Sequence, residues 1–169
     1  SDAPRDLTYR RFFEITGLAG LRVEDEAVFE ESHRLIVDLV RQGKVDGLRI
    51  DHVDGLSDPG AYLDRLRLEV GPDCYLIVEK ILANGEHLPS RWPISGTTGY
   101  EFIAALSDVL LEPQALEAFN RHYAEVTGKP VDFEAEMRAA KGLMADVNFE
   151  GERRRLLELA IEIAANHAD

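Results

Sequence analysis

Basic residues are scarce in this chain. Its 19 Lys and Arg stand against 32 Asp and Glu, a formal net charge of −13. That excess repels phosphate backbones and argues against nucleic acid as a partner. Cysteine occurs once, at Cys74, so no internal disulfide can form and a cytoplasmic setting is expected. No apolar run approaches the roughly 20 residues of a membrane span, so no membrane partner is expected. The opening SDAPRDLTYRRFFEI lacks the apolar stretch of a signal peptide. His33, His87, His122 and His167 share no ligand spacing, so no transition-metal site is expected. Gly96 and Gly99 do not make a phosphate loop, because no Lys follows in the required place. Repeats and low-complexity tracts are also missing.

What is present suits a globular fold. Of 169 residues, 45% are hydrophobic and 30% charged, and a chain of this length can bury roughly 70% of its unfolded surface. Two short apolar runs each end in a carboxylate: VDGLRID (Val45 to Asp51) and CYLIVE (Cys74 to Glu79). Each reads as a buried parallel strand, where alternating polar residues would be costly. Parallel pairing needs a crossover, and the stretch between the two acids leaves room for one helix. Ligands of such sheets bind at the carboxyl ends of strands, which would set Asp51 beside Glu79. Two carboxylates so placed are what retaining chemistry on a glycosidic bond requires, one as nucleophile and one as proton donor.

The remaining pattern divides the chain into two halves. YRRFFEI (Tyr9 to Ile15) reads as an aromatic-rich strand. A helix is predicted over Glu24 to Gln42, with Val28, Phe29, Leu35, Ile36, Leu39 and Val40 on its apolar face and a stop at Gly43. A second helix is predicted from about Gly60 to Glu69, ahead of the Tyr75 to Glu79 strand. This β-α-β-α-β order is the signature of a parallel α/β sheet. NGEHLPSRWPISGTT (Asn84 to Thr98) then reads as a functional loop. Beyond it only helical periodicity appears, over about 100–111, 114–126, 132–146 and 150–167, with the aliphatic stripes (Leu106, Val109 and Leu110; Leu116 and Phe119; Leu156, Leu159 and Ile163) as packing faces. The expected organisation is an α/β segment over 1–100 and a helical region over 101–169. Three strands cannot close a barrel, which takes about eight, so the chain reads as a piece of a larger catalytic domain.

The segment GLRIDH (Gly47 to His52) resembles the nucleophile-bearing strand of the α-amylase superfamily, and YLIVEK (Tyr75 to Lys80) resembles the next strand, which carries the acid/base glutamate. YRRFF (Tyr9 to Phe13), RIDHVDGL (Arg49 to Leu56), VEKIL (Val78 to Leu82) and WPISGTTGYEF (Trp92 to Phe102) are more specific. Together they are similar to the maltooligosyl trehalose synthase family. The resemblance implies an α/β fold that is part of a (β/α)₈ TIM barrel, with about three parallel strands and crossover helices, followed by an all-helical region. It implies conversion of the reducing-end α-1,4 bond of a maltodextrin into an α,α-1,1 bond, with a maltooligosaccharide as substrate and no metal or organic cofactor.

By motif position, Asp51 would be the nucleophile and Glu79 the general acid/base. Arg49, two residues before Asp51, would share its side of the strand and keep it ionised. Glu79 would start protonated, which a less polar setting favours. Substrate contacts would come from Arg49, His52, Lys80, Tyr9, Arg10, Arg11, Trp92 and Tyr100. Asp54-Gly55 stands where amylases carry a Lys-His pair, which tells against a plain amylase subsite. The superfamily's Asn-His and His-Asp motifs are missing, so the third carboxylate would come from barrel strands outside these residues, and the isolated chain would show no turnover.

Each feature also has a plainer reading. The two acids could cap strands or form salt bridges, and His52 could brace its loop. Lys80 could point to the far face of its strand, Arg10 and Arg11 could be surface or ion-pair residues, and Trp92 could plug its loop onto the core. Thr98, three residues before Glu101, has the spacing of a helix N-cap. The competing functions are a 4-α-glucanotransferase or amylase-like hydrolase and, in another class, a non-catalytic α/β interaction module.

Overall fold

The computed structural model describes residues 8–13 and 15–167. Glu14, inside the strand expected over Tyr9 to Ile15, lies outside them, as do most of the opening segment and Ala168-Asp169. The described residues form two compact units: one of 21–112, the other of the N-terminal residues to Gly20 together with the chain from Pro113 onward. The expected boundary near residue 100 thus falls inside the first unit. Among the described residues, no helix is long and apolar enough to cross a membrane.

The 21–112 unit is α/β. Helix α1 (Glu26–Arg41) starts where the Asp25 carboxylate accepts the backbone N–H groups of Ala27 at 3.0 Å and Val28 at 3.5 Å. Strand β3 (Gly47–Ile50) follows, then helix α2 (Pro59–Val70), capped by Asp58, and strand β4 (Tyr75–Val78). β3 and β4 run parallel, with Gly47 opposite Tyr75 and Ile50 opposite Val78. Close pairing explains Gly47: a Cβ there would lie 2.6 Å from the Tyr75 carbonyl oxygen. Strand β5 (Gly96–Thr97) adds to β4, again parallel, with Val78 opposite Thr97. Helix α3 (Tyr100–Leu110) closes the unit.

The core lies against one face of the sheet. Phe29 and Val37 from α1, Leu63, Leu66 and Val70 from α2, Val53, Cys74, Leu76 and Val78 are buried. Leu48, Ile50, Leu88, Trp92 and Ile94 pack on them. Leu35 and Ile36, placed on the apolar face of α1 from sequence, are instead exposed, at 68% and 40%. The inward stripe runs Phe29, His33, Val37 and Val40, at the spacing of one helix face.

His33 stacks on the Phe29 ring with centroids 4.1 Å apart, and its Nε2 lies 2.8 Å from the Tyr62 hydroxyl. Burial pushes the Tyr62 phenol up from 10.0 to about 12. The unfolded chain therefore releases this proton first as pH rises. Tyr62 contributes stability that is whole below pH 10 and lost as pH climbs toward 12. Urea midpoints across that window should fall less steeply in Tyr62→Phe than in the parent; parallel declines would exclude Tyr62 as the cause.

The parallel sheet has three strands, but not the three expected. The segment from Tyr9 bends at Phe13, which has φ 50°, so that β1 (Arg11–Phe12) pairs antiparallel with β2 (Ile15–Ala19) in the other unit. The third parallel strand is instead β5, two residues long and below the reach of any periodicity. Both sheet faces were expected to be buried. Only one is: Arg49, Asp51 and Tyr75 on the other are exposed.

The second unit joins the β1–β2 hairpin to helices α4 (Leu116–Thr127), α5 (Phe133–Leu143) and α6 (Glu150–Asn166). A π-turn over Met144–Asn148 separates α5 from α6. Arg11 fastens the hairpin to this turn. Its Nη2 donates to the Asn148 carbonyl at 2.6 Å, its Nε donates to Glu152 at 3.2 Å, and its guanidinium lies 5.5 Å from the Phe149 ring centroid. The aliphatic stripes form as helix faces but are uncovered in both units; Val109, Phe119 and Leu156 are 81%, 71% and 67% exposed.

Candidate active site at the strand ends

Asp51 and Glu79 each follow the last residue of a strand. Since Ile50 faces Val78, the register continued by one step sets Asp51 against Glu79. The ladder does continue: the Glu79 N–H donates to the Ile50 carbonyl at 2.7 Å. Side chains opposite one another in a parallel pair share a face. Leu48, Ile50, Leu76 and Val78 take the core face, which leaves Arg49, Asp51 and Glu79 on the other. Neighbouring strands lie about 4.8 Å apart. The two carboxylates therefore rise from adjacent backbone positions on one face of the sheet.

The next residue completes the arrangement. His52 adopts the left-handed conformation at φ 52° and ψ 45°, opening a short 3₁₀ turn over Val53–Gly55. This bend lets the His52 N–H donate to Glu79 Oε2 at 3.0 Å. The imidazole folds over Gly55, where a Cβ would meet His52 Cδ2 at 2.3 Å. Arg49 Nη2 lies 2.7 Å from Asp51 Oδ1. Both side chains are about half exposed, so the pair orients the carboxylate more than it stabilises the fold.

Lys80 turns neither to solvent nor to an open face. Its side chain is 13% exposed, and its ammonium donates to Asp54 Oδ1 and Oδ2, each at 3.1 Å, and pairs with Glu86 Oε1 at 3.0 Å. Glu86, and then Asp54, hold the Lys80 ammonium above its usual range. The Ala83 N–H and then Lys80 hold Glu86 below the usual carboxylate range.

Trp92 packs against the hydrophobic core, which matches the plug reading. Tyr100 opens α3, half exposed, behind Gly99 at φ 86°. The helix start is secured by Thr97 rather than Thr98: the Thr97 hydroxyl bonds the Glu101 carboxylate and accepts the Gly99 N–H at 3.1 Å. That hydroxyl lowers the Glu101 pKa. Thr98, whose N–H donates to the Val78 carbonyl at 3.0 Å, buries its own hydroxyl without a partner among the described residues.

Tyr9, Arg10 and Arg11 belong to the other unit. There the Tyr9 hydroxyl bonds the Thr16 carbonyl, and the Arg10 carbonyl accepts the Gly20 N–H at 2.7 Å. Sequence reasoning missed Glu86, whose only signal was an acid inside a loop, and Asp54, noticed only as a departure from the amylase pattern.

No protein-family model matches the chain. Over 106 residues it is 52% identical to curated sequences from two Mycobacterium tuberculosis strains, CDC 1551 / Oshkosh and ATCC 25618 / H37Rv, that carry the name maltooligosyl trehalose synthase. The match takes in 63% of this chain and 14% of each relative's length. Among solved structures, a mutant of maltooligosyltrehalose synthase from Arthrobacter ramosus superposes with a TM-score of 0.87 at 40% identity, over 92% of this chain and 20% of that one. The DSM5389 glycosyltrehalose synthase gives 0.84 at 40% identity, over 89% and 20%. In sequence and in fold, the chain matches one segment of the maltooligosyl trehalose synthases.

Proposed function

We propose that this chain is the part of a maltooligosyl trehalose synthase that carries the nucleophile and the acid/base. Its three parallel strands are an arc of a (β/α)₈ barrel, and the acids sit at the carboxyl ends where such barrels place catalytic groups. The observation that carries this is the register of β3 on β4. It presents Asp51 and Glu79 side by side on the face away from the helices.

Glu79 gives its proton to the glycosidic oxygen of the terminal α-1,4 bond while Asp51 attacks the anomeric carbon. The bond to the terminal glucose breaks, and a β-glycosyl ester to Asp51 forms. The released glucose stays bound and turns. Its anomeric hydroxyl then loses a proton to the Glu79 carboxylate and attacks the same carbon, displacing Asp51 and leaving an α,α-1,1 bond. Two inversions retain configuration. Arg49 orients Asp51, and His52 and Tyr100 offer polar groups toward hydroxyls of the maltooligosaccharide. The third carboxylate comes from another part of the longer polypeptide.

Incubating the full-length polypeptide with maltopentaose tests the proposal. Reducing ends should disappear while chain length stays constant. Release of glucose, or a ladder of shorter and longer oligomers, would replace it with hydrolysis or disproportionation.

A further inference from the structure

The ammonium of Lys80 sits between two loops, each trailing one of the acids. Asp54 lies in the 3₁₀ turn that follows Asp51, and Glu86 lies in the loop that follows Glu79. A lysine ammonium has three donors. Here three oxygens take them: Asp54 Oδ1, Asp54 Oδ2 and Glu86 Oε1, all within 3.1 Å. The side chain is 13% exposed, and carboxylates hold its ammonium from both sides.

The turn that Lys80 holds has a definite task. It begins at His52, in a left-handed conformation uncommon outside glycine. That conformation delivers the His52 N–H to Glu79 Oε2. The loop on the other side is braced in turn, because the Ala83 N–H donates to Glu86 Oε2 at 2.9 Å. A continuous chain of contacts therefore runs from the Ala83 backbone through Glu86, Lys80 and Asp54 to the turn, and back to Glu79.

We propose that Lys80 is a positioning residue: by bridging Asp54 and Glu86 it locks the turn after β3 and so holds the His52 amide on the Glu79 carboxylate. This rests on the reading of Asp51 and Glu79 as the reacting pair. Loss of the bridge should misplace Glu79 relative to the glycosidic oxygen, while of the proposed sugar contacts only His52 lies on the loosened turn. A misplacement of about 1 Å costs on the order of 100-fold in rate.

The test is steady-state kinetics of the full-length polypeptide on maltopentaose with Lys80→Met, Lys80→Arg, Asp54→Asn and the Lys80→Met/Asp54→Asn double variant. Lys80→Met should lower kcat by about 10- to 100-fold and change KM by less than about threefold. Asp54→Asn, at a 58% exposed side chain and hence a safe site for folding, should lower kcat in the same sense. The double variant should be no worse than Lys80→Met alone, as expected for members of one unit. Lys80→Arg should recover part of kcat. Either a raised KM at unchanged kcat, or effects of Lys80→Met and Asp54→Asn that multiply, would overturn the inference. If Asp51→Asn and Glu79→Gln keep full activity, the function itself is wrong. If they abolish it while Lys80→Met and Asp54→Asn stay at parental kcat, only the bridge is.

Discussion

Asp51→Asn and Glu79→Gln are each expected to lower isomerisation of maltopentaose by the full-length polypeptide on the order of 10⁴-fold or more, because groups that act as a unit fail together. Both changes keep size and shape, so an undisturbed fold should accompany the loss. The roles can be separated by leaving group. A maltosyl fluoride needs no proton to depart, so Glu79→Gln should still form the glycosyl-enzyme from it, whereas Asp51→Asn should not. Restoration in both variants, or in Asp51→Asn alone, would reverse or remove the assignment. Activity within about tenfold of the parent in either variant would sink it outright.

The second large effect falls at Arg67, a residue with no expected role. Its guanidinium closes the end of α2 and ties it to β4 and to the loop before β5. Nε and Nη2 donate to the Pro93 carbonyl at 2.9 and 2.8 Å, and Nη1 donates to the carbonyls of Gly71 at 2.9 Å and Cys74 at 2.7 Å. Hydrogen bonds from a charged donor contribute about 1.5–3 kcal/mol each, and partners left buried cost further. Arg67→Met should therefore destabilise the fold by about 3–5 kcal/mol, allowing for carbonyls that regain water. Lysine should not rescue it, since one ammonium cannot span carbonyls that a planar fork reaches together. Urea unfolding followed by the fluorescence of Trp92, the single tryptophan, reads the change beside Pro93 itself. Stability of Arg67→Lys within about 0.5 kcal/mol of the parent would show that the fork is dispensable.

Arg67 also marks how far the sequence could be read. Features with a local chemical signature were legible: the apolar runs of β3 and β4, the acids that end them, and the helical periodicity beyond residue 100. The family resemblance was legible from the motifs around those same strands. Features settled by contacts distant in the chain were not. β5 has only two residues, so its pairing with β4 is set by the neighbour it meets rather than by its own pattern. The Tyr9 to Ile15 segment has the composition of a strand, but composition does not reveal a left-handed Phe13. In α1, Leu35 and Ile36 were placed on the inward face and Val37 was not, because apolarity alone cannot tell which side of a broad stripe meets the sheet. Lys80 reads as a cation beside an acid, and only the fold brings Asp54 and Glu86 to it.

The ladder between β3 and β4 also governs which changes of length a lineage could tolerate. Pairing from Gly47 to Ile50 aligns the two acids without reference to how the chain travels between them. Residues gained or lost in the connection around α2 would leave that alignment untouched. A single insertion inside either four-residue strand would rotate one acid to the opposite side. A change of length in the crossover keeps the two acids paired, and one step of drift in either strand separates them.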